Sequence, residues 1–530
     1  MSRLPVRQAL AAVRTPLLVG NALLLAACAD RLPTASRASQ ELGAVPSTIA
    51  GPGRYIVGLA AGAELSAEVL AAAGGRIIDR NDAIHAVEVD VTDPSALTGA
   101  GIEYVGRSFE FTLDAQAGTG AAAAVTPAGT DASTAPWYAS GVQWDMRAIG
   151  LTSAVWQGSR GGAGTRVCVI DSGIDSQHQE LSGKVVAEES FVTTATVASP
   201  APLDSNGHGT HVASTVAGRG VVAGGVAPDA SLMTAKVFAA TGGTPVLRVT
   251  NAITWCADNG AHVINMSLNG VQYYDRGTDP FSFSAIAAYA EAVQYATSRG
   301  VVVVNSAGNR NARLQTGPDA QQFTMPAQVP GTLVVGATGP LSRTGRWMDD
   351  GQVVTMPYDA PAWNPFDPDQ VWQGVDGKAF YSNWGENVHV FAPGGRGGVP
   401  LGYRNRLVAD LSGTRVQQTG SMYDNIFAAC SRWATYTGYL NANGAPTGAA
   451  QCRTNPSADR YASLAGTSMA APHVAGMAAL LYSELDGVRS AENRAKVESC
   501  IRSTTDNIGP ASTFGGGRVN VPRAIACIRS

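Results

Sequence analysis

The chain carries little charge. Only 15% of its 530 residues are Asp, Glu, Lys or Arg, against roughly 25% in an average soluble protein. The 37 Lys and Arg residues nearly balance the 41 Asp and Glu residues, which leaves a net charge of −4 without any dense basic block. Nucleic acid is therefore not an expected partner. The composition is instead 45% hydrophobic, which is enough to bury a large core and excludes a disordered chain.

Long apolar runs are also scarce. After the N-terminus, no stretch approaches the roughly 18 uncharged residues of a membrane-spanning helix. The run over residues 17–27 (LLVGNALLLAA) is too short to span a bilayer and follows three arginines. This pattern predicts a signal peptide over residues 1–27. Because Cys28 follows Leu-Ala-Ala directly, the segment resembles a bacterial lipoprotein signal in which Cys28 bears the lipid. An ordinary signal peptide with an incidental Cys is the alternative.

The cysteine count agrees with export. Without Cys28 six cysteines remain, and an even number in an exported chain indicates disulfides. Short spacing favours two pairs: Cys430–Cys452 and Cys500–Cys527. Cys168 lies inside an apolar run, where a small buried hydrophobic residue is the alternative. The pairing of Cys168 and Cys256 stays open.

The first part of the chain divides by composition. Residues 28–52 are mostly small and polar, and this composition predicts a tether. Residues 53–113 contain an Ala-rich helix over 64–73 and alternating, half-buried strands over 84–91 and 102–113, so we predict a compact α+β unit. Residues 114–136 have almost no large apolar side chain, which predicts a flexible, cleavable linker.

Residues 137–530 have a different hydrophobic pattern. Short apolar runs alternate with helical segments, and these runs are residues 167–170, 263–266, 301–304, 333–335 and 388–391. Runs of this kind are typical of strands that are buried on both faces. We therefore predict an α/β fold with a doubly wound, mostly parallel sheet and helices on both faces. Ligand sites in such sheets form beyond the carboxyl ends of the strands.

Three polar residues with neighbouring glycines stand where such a site is expected. Asp171 ends the first run, in Val-Ile-Asp-Ser-Gly. His208 lies between two glycines, in Asn-Gly-His-Gly-Thr-His-Val, and Ser468 begins an apolar helix, in Gly-Thr-Ser-Met-Ala-Ala-Pro-His. A serine nucleophile needs a base, and the base needs a partner that orients it. The order Asp, His, Ser and the lack of a Gly-x-Ser-x-Gly motif argue against an α/β-hydrolase.

Each of these residues alone has a simpler interpretation. Asp171 would be a structural residue at a strand end, and Ser468 would cap a helix. His208 and His211 have the spacing of metal ligands, but the Glu of a His-Glu-x-x-His metalloprotease is missing, so we predict no metal site. An inactive lipoprotein that only binds a partner is a further alternative. It is disfavoured because all three positions carry residues competent for catalysis.

Together the three motifs resemble those of the subtilisin-like serine proteases. Residues 53–113 likewise resemble the inhibitor-like propeptide of that family, and residues 137–530 resemble its peptidase domain. The resemblance implies a peptidase with Ser468 as the nucleophile and His208 as general base and then general acid. It also implies that Asp171 orients His208, and that Asn309, in Ser-Ala-Gly-Asn, donates its side-chain amide to the oxyanion.

The resemblance further implies a substrate cleft lined by Ser267, Leu268, Asn269, Gly270, Ser306, Ala307 and Gly308. Asn269 departs from the family pattern, which has Gly at this position, so the shape of the specificity pocket stays open. No cofactor is required for the chemistry. A structural calcium stays unassigned, because residues 215–228 are shorter than the calcium-binding form of this loop and Glu180 replaces an expected Asp ligand.

Two insertions extend the peptidase domain, near residues 338–378 and 395–460. The first is rich in Trp, Asp and Pro. Loops of this length are usually functional or disordered. We expect the insertions to rim the cleft and restrict the substrates, and the alternative is a solvated surface insertion.

The propeptide resemblance implies a zymogen. Its expected partners are protein or peptide substrates and its own propeptide, which would act as an intramolecular inhibitor. We expect an exported lipoprotein of the bacterial cell envelope, in the periplasm or outer membrane, that the lipid on Cys28 holds at the membrane before processing. A cut between about Leu113 and Trp137 would then release the protease from the cell.

Overall fold

The computed structural model describes residues 51–113, 116–117, 131–139, 143–192, 203–240, 242–273, 281–314, 322–340, 346–349, 352–355, 376–379, 381–395, 406–409, 415–418, 425–434 and 460–530. The predicted signal peptide, Cys28, and most of the predicted linker and insertions lie outside these ranges. Among the described helices, none is both long and apolar enough to cross a membrane.

The strands are β1 (Gly53–Leu59), β2 (Arg76–Asn81), β3 (Ala86–Val91), β4 (Ile102–Arg107), β5 (Glu110–Phe111), β6 (Gln116–Ala117), β7 (Arg166–Asp171), β8 (Val185–Ser190), β9 (Ser231–Lys236), β10 (Thr244–Pro245), β11 (Val263–Met266), β12 (Gly270–Tyr273), β13 (Val302–Ser306), β14 (Gln322–Met325), β15 (Thr332–Pro340), β16 (Arg346–Asp349), β17 (Gln352–Thr355), β18 (Asp376–Lys378), β19 (Val390–Pro393), β20 (Arg406–Ala409), β21 (Arg415–Gln418), β22 (Ile426–Cys430) and β23 (Arg460–Ala465).

The α-helices are α1 (Ala67–Ala72), α2 (Pro136–Ala139), α3 (Trp144–Ala148), α4 (Ser153–Gly158), α5 (His208–Ala217), α6 (Val246–Asp258), α7 (Phe281–Ser298), α8 (Thr467–Glu484), α9 (Ala491–Ser503), α10 (Ala511–Phe514) and α11 (Val521–Arg529). Short 3-10 turns are Asp82–Ile84, Pro94–Ala96 and Ala132–Thr134.

The N-terminal unit is an antiparallel sheet in the order β2-β3-β1-β4, covered on one face by α1. The helix starts later than the sequence predicted, because Ser66 caps it and its Oγ accepts the Val69 N–H at 3.2 Å. The prediction that the strands are half-buried was also wrong for β3. Glu88 is only 2% exposed, because the face of the sheet opposite α1 packs against α6 and α7.

The large unit is built on a sheet in the order β8-β9-β7-β11-β13-β15-β19, in which all neighbours run parallel. β18 pairs antiparallel with the end of β15. The five predicted apolar runs contribute to β7, β11, β13, β15 and β19. These strands are buried on both faces, as their unbroken hydrophobicity predicts.

Helices cover both faces of this sheet. Val167 and Val169 of β7 join one hydrophobic cluster with α5, α8, α9 and α11. Cys168 and Ile170, which point the other way along the same strand, join a second cluster with α6 and α7. The predicted doubly wound α/β architecture is therefore confirmed.

Disulfides link helices to this framework. Cys168 of β7 is bonded to Cys256 of α6, a pairing that the sequence left open. Cys500 of α9 is bonded to Cys527 of α11. Cys430 is also disulfide-bonded, but its predicted partner Cys452 lies outside the described residues.

Candidate active site

Asp171 is the last residue of β7, and its carboxylate meets the imidazole of His208. The two carboxylate oxygens lie 2.8 and 2.9 Å from His208 Nδ1. Oδ1 also accepts the N–H of Ser172 at 2.7 Å. Asp171 is fully buried and His208 is 1% exposed. Because the carboxylate accepts from Nδ1, the imidazole proton stays on that nitrogen and Nε2 can act as a base.

Asp204 supports the turn that leads into the helix of His208. Its Oδ1 accepts the Gly207 N–H at 2.7 Å and the Ser172 hydroxyl at 2.8 Å. Its Oδ2 accepts the Thr210 N–H at 2.9 Å. Asp204 is fully buried. This carboxylate therefore ties the end of β7 to the first turn of α5.

Gly209 allows α5 to approach β7 closely. A Cβ at this position would lie 2.1 Å from the carbonyl oxygen of Gly173. The Gly209 N–H donates to Ser172 Oγ at 3.0 Å. A larger residue would therefore separate His208 from the strand that carries Asp171.

A buried lysine lies beside the same strand end. Lys236 is 3% exposed, and its Nζ donates to the carbonyl of Ser172. Burial lowers the pKa of Lys236, and the charges of Asp204 and Asp171 raise it. Its positive charge offsets part of the negative charge that these two carboxylates place around His208.

Ser468 is the second residue of α8 and is fully buried. Four residues further on stands Pro472, which has no N–H to donate to the Ser468 carbonyl. The Ser267 hydroxyl donates to that carbonyl instead, at 2.8 Å. Ser468 Oγ in turn donates to the Ser267 carbonyl at 3.3 Å. This reciprocal pair fixes the first turn of α8 against the end of β11.

The Ser468 hydroxyl and the His208 imidazole are not hydrogen-bonded to each other. His208 Nε2 has no hydrogen-bond partner, and the hydroxyl is directed to the Ser267 carbonyl. The structure therefore pairs Asp171 with His208 and leaves the serine–histidine contact unformed. Such contacts often form fully only in the substrate complex.

Asn309 follows β13 and is attached to the helix of Ser468. Its Oδ1 accepts both the N–H and the hydroxyl of Thr467, each at 2.8 Å. The Thr467 hydroxyl oxygen accepts the Gly308 N–H at 3.1 Å. Gly308 has a φ of 102°, a left-handed conformation that favours glycine. These contacts place the Asn309 side chain beside the helix that carries Ser468.

Asn383 supports this segment, although no sequence motif indicated it. Its Nδ2 donates to the Ala307 carbonyl at 2.8 Å. Its Oδ1 accepts the N–H groups of Arg310 and Ala312, at 3.1 and 2.9 Å. Asn383 therefore holds the chain on both sides of Asn309.

The segment that leaves the N-terminal unit lies in extended form on the large unit. β5 pairs antiparallel with β10, with Phe111 opposite Thr244. Thr112 and Asn269 exchange two backbone hydrogen bonds, of 2.7 and 3.0 Å. The segment thus adds a strand between two edges of the large unit, which is how an extended peptide binds to a sheet edge.

The same segment pairs with the large unit again a few residues later. β6 lies antiparallel to β23, with Gln116 opposite Ala465. Ala465 precedes Ser468 by three residues. The chain therefore pairs with the large unit at Thr112 and again at Gln116, the second time just before the helix of Ser468.

Two further contacts involve residues of the predicted cleft. The Ser306 hydroxyl donates to the Leu268 carbonyl at 3.3 Å, which joins the end of β13 to the residues after β11. A Cβ on Gly270 would lie 2.9 Å from Phe111 Cδ1. Phe111 is fully buried, so Gly270 makes room for a large side chain.

Glu180 lies in the loop where the sequence left calcium unassigned. Its carboxylate accepts hydrogen bonds of 2.7 to 3.0 Å from the backbone N–H groups of Gly220, Val221, Val222 and Ala223. The Tyr461 hydroxyl donates to it at 2.8 Å. Calcium requires oxygen ligands, whereas the backbone N–H groups of this loop point toward the Glu180 carboxylate. The residues present therefore do not fit a calcium ion at this loop.

His211 is a packed residue of α5. Its Nε2 lies 3.1 Å from the carbonyl oxygen of Ile426. Burial, followed by the nearby His208, lowers the pKa of His211 to about 3, so this imidazole is neutral at physiological pH. Within the described ranges, no group of three or more His, Cys, Asp or Glu residues could hold a metal ion.

A buried parallel sheet, an Asp–His pair beyond one strand and a helix-borne serine are the features of a serine-type hydrolase. A sequence model of the subtilase family matches residues 162–517. The match covers more than half of the chain, and the chain belongs to this family. It is a subtilisin-like serine protease, as its motifs predicted, and proteins are its substrates.

Known proteins agree with this assignment. The chain is 29% identical to thermitase from Thermoactinomyces vulgaris over 368 residues, which cover 69% of this chain and 89% of thermitase. It is 28% identical to subtilisin Savinase from Lederbergia lenta over 388 residues, which cover 73% of this chain and 99% of that protein.

Solved structures share the fold. The epidermin leader peptide processing serine protease EpiP from Staphylococcus aureus superposes with a TM-score of 0.61 at 20% identity, covering 90% of this chain and 98% of EpiP. Fervidolysin from Fervidobacterium pennivorans gives 0.58 at 21% identity, covering 91% of this chain and 62% of fervidolysin.

Proposed function

We propose that this protease is an endopeptidase that cleaves peptide bonds through an acyl-enzyme on Ser468. His208 takes the proton of the Ser468 hydroxyl, and Asp171 keeps the imidazole in the required tautomer. The observation that carries this proposal is the buried contact of Asp171 with His208 Nδ1, at 2.8 Å. It leaves His208 Nε2, which has no other partner, as the base.

The proposed first step is attack of Ser468 Oγ on the substrate carbonyl. For this step the hydroxyl turns from the Ser267 carbonyl toward His208 Nε2, which accepts its proton. The oxyanion that forms lies beside the N-terminus of α8, where the Ser468 N–H and the Asn309 amide donate to it. His208 then gives its proton to the leaving amine, and water hydrolyses the acyl-enzyme by the same route in reverse.

The protein is, in our proposal, made as a zymogen. Residues 53–113 form the propeptide, and the extended backbone at Thr112 and at Gln116–Ala117 occupies the cleft as a substrate would. The backbone pairs of Thr112 with Asn269 and of Gln116 with Ala465 support this reading. We place the processing cut between Leu113 and Gln116, within the wider interval that the sequence predicted.

Covalent labelling tests the nucleophile. We expect a fluorophosphonate to label the wild-type protein at Ser468 and the mature N-terminus to map between Leu113 and Gln116. Ser468→Ala should remain full-length and unlabelled, with turnover lower by about 10⁶, the size of effect known for subtilisin. Ser483→Ala, on the same helix, is the matched control and should behave as wild type. Self-processing of Ser468→Ala would refute the assignment.

Export is proposed from the sequence. The signal peptide over residues 1–27 and the lipid on Cys28 would place the zymogen in the bacterial cell envelope, and the cut after the propeptide would release the protease. Mass spectrometry of the labelled protein and of the released propeptide identifies both ends of the propeptide. Mature protease that is still covalently attached to lipid would contradict release.

A further inference from the structure

Asn269 is a buried amide without hydrogen bonds. The residue is only 4% exposed, yet neither Oδ1 nor Nδ2 of its side chain has a hydrogen-bond partner. Among the buried asparagines of the described ranges it is the only one with both side-chain polar atoms unpaired. Leaving a buried donor and acceptor unpaired costs free energy, so such a group calls for an explanation.

The position of Asn269 suggests what these atoms are for. Its backbone exchanges two hydrogen bonds with Thr112 of the strand in the cleft. Its Oδ1 lies 3.3 Å from the point where a Cβ of Gly308 would stand. Gly308 directly precedes Asn309, so the Asn269 side chain extends from one wall of the cleft toward the segment of the proposed oxyanion donor.

A purely structural role does not account for this amide. Asn383, on the other side of Gly308, makes three hydrogen bonds that hold the backbone of its loop. Asn269 holds nothing with its side chain, and the family pattern has Gly at its position. The remaining candidate for a partner is the substrate.

We propose that Asn269 selects substrates with a carboxamide or carboxylate side chain at the residue before the cleaved bond. This inference rests on the proposed peptidase function and names its substrate class. A carboxamide can pair with both Asn269 atoms and a carboxylate with Nδ2, whereas an aliphatic or aromatic side chain leaves both unpaired. A site that loses a buried hydrogen bond discriminates strongly against the apolar analogue.

The chain's own sequence agrees with this preference. Two residues beyond Thr112, which pairs with Asn269, stands Asp114. Asp114 itself lies outside the described residues. The sequence thus carries a carboxylate two residues after Thr112, inside the interval in which we place the processing cut.

A matched set of peptides tests the inference on the mature enzyme. The peptides are internally quenched and differ only at the residue before the cut, which is Asn, Gln, Asp, Leu or Phe. We expect kcat/KM for Asn and Gln to exceed that for Leu and Phe by roughly ten- to a hundredfold, the effect of one buried hydrogen bond. Asn269→Gly should abolish this preference and favour Leu and Phe.

Asn269→Asp is the conservative control. It keeps the shape but loses the donor, so it should still accept Gln and should reject a substrate Asp by charge. A merely structural role would lower all rates equally and leave the ratios unchanged, which would overturn the inference. So would a wild-type preference for Leu or Phe in enzyme that a fluorophosphonate labels at Ser468. If labelling and hydrolysis both fail, the proposed function itself is wrong, and the inference falls with it.

Discussion

Glu291 makes the contact between the N-terminal unit and the protease sensitive to pH. Its Oε2 accepts the hydroxyl of Tyr104 at 2.8 Å, between α7 and β4. Burial raises the pKa of Glu291 to about 7, with the Tyr104 hydrogen bond lowering it and Glu103 raising it. Glu291→Gln keeps the size and shape of the side chain and removes this titration.

The direction of the effect follows from the raised pKa. Burial at the contact favours the protonated carboxyl and outweighs the Tyr104 hydrogen bond, which favours the ionised form. The contact is therefore strongest below the ordinary pKa of 4.5, weakens as the pH rises toward 7, and is constant above. The interval from 4.5 to 7 is about 2.5 pKa units, and each unit is worth about 1.4 kcal/mol. If the whole shift comes from docking of the N-terminal unit, the contact loses at most roughly 3 kcal/mol across this interval, or about 10²-fold in affinity.

The assay is inhibition of the mature protease by residues 51–113, added as a separate chain. We expect the inhibition constant of the wild type to rise steeply from about pH 5 to about pH 7 and then to level off. Asp79 and Glu88, whose pKa values burial also raises at this face, should leave a shallower slope in Glu291→Gln. Equal slopes in the two proteins would refute the reasoning.

Two further substitutions test other parts of the structure. Glu180→Gln places an amide donor against the N–H groups of residues 220–223, so urea denaturation should show a loss of about 2–5 kcal/mol. The loss should be the same with calcium and with chelator, and rescue by calcium would contradict our description of this loop. Asn309→Ala should lower kcat by about 10² to 10³ in a protein that still folds. An unchanged kcat would remove Asn309 from the oxyanion site.

The sequence could predict the sheet and the residues of the candidate site. Five strands of the central sheet, β7, β11, β13, β15 and β19, contain a short apolar run, because both of their faces are covered. Asp171, His208 and Ser468 stand at the ends of such elements with glycines beside them. Their short motifs are local, so they can be found without knowing the fold.

The supporting contacts could not be predicted, because they join distant parts of the chain. Asn383 reaches Arg310 across 73 residues, and Cys168 bonds Cys256 across 88. Asp204 resembles an ordinary loop residue until α5 is placed against β7. The free side chain of Asn269 likewise becomes visible only when its surroundings are known.

The extended residues that pair with Asn269 and with β23 belong to the same chain as those partners. Their local concentration is therefore set by the length of the connection and not by the amount of protein in solution. Dilution would not uncover the cleft, and a second molecule would not be needed for the first cut. If the protein is the zymogen that we propose, its activation should be a first-order process with a half-time that is independent of protein concentration.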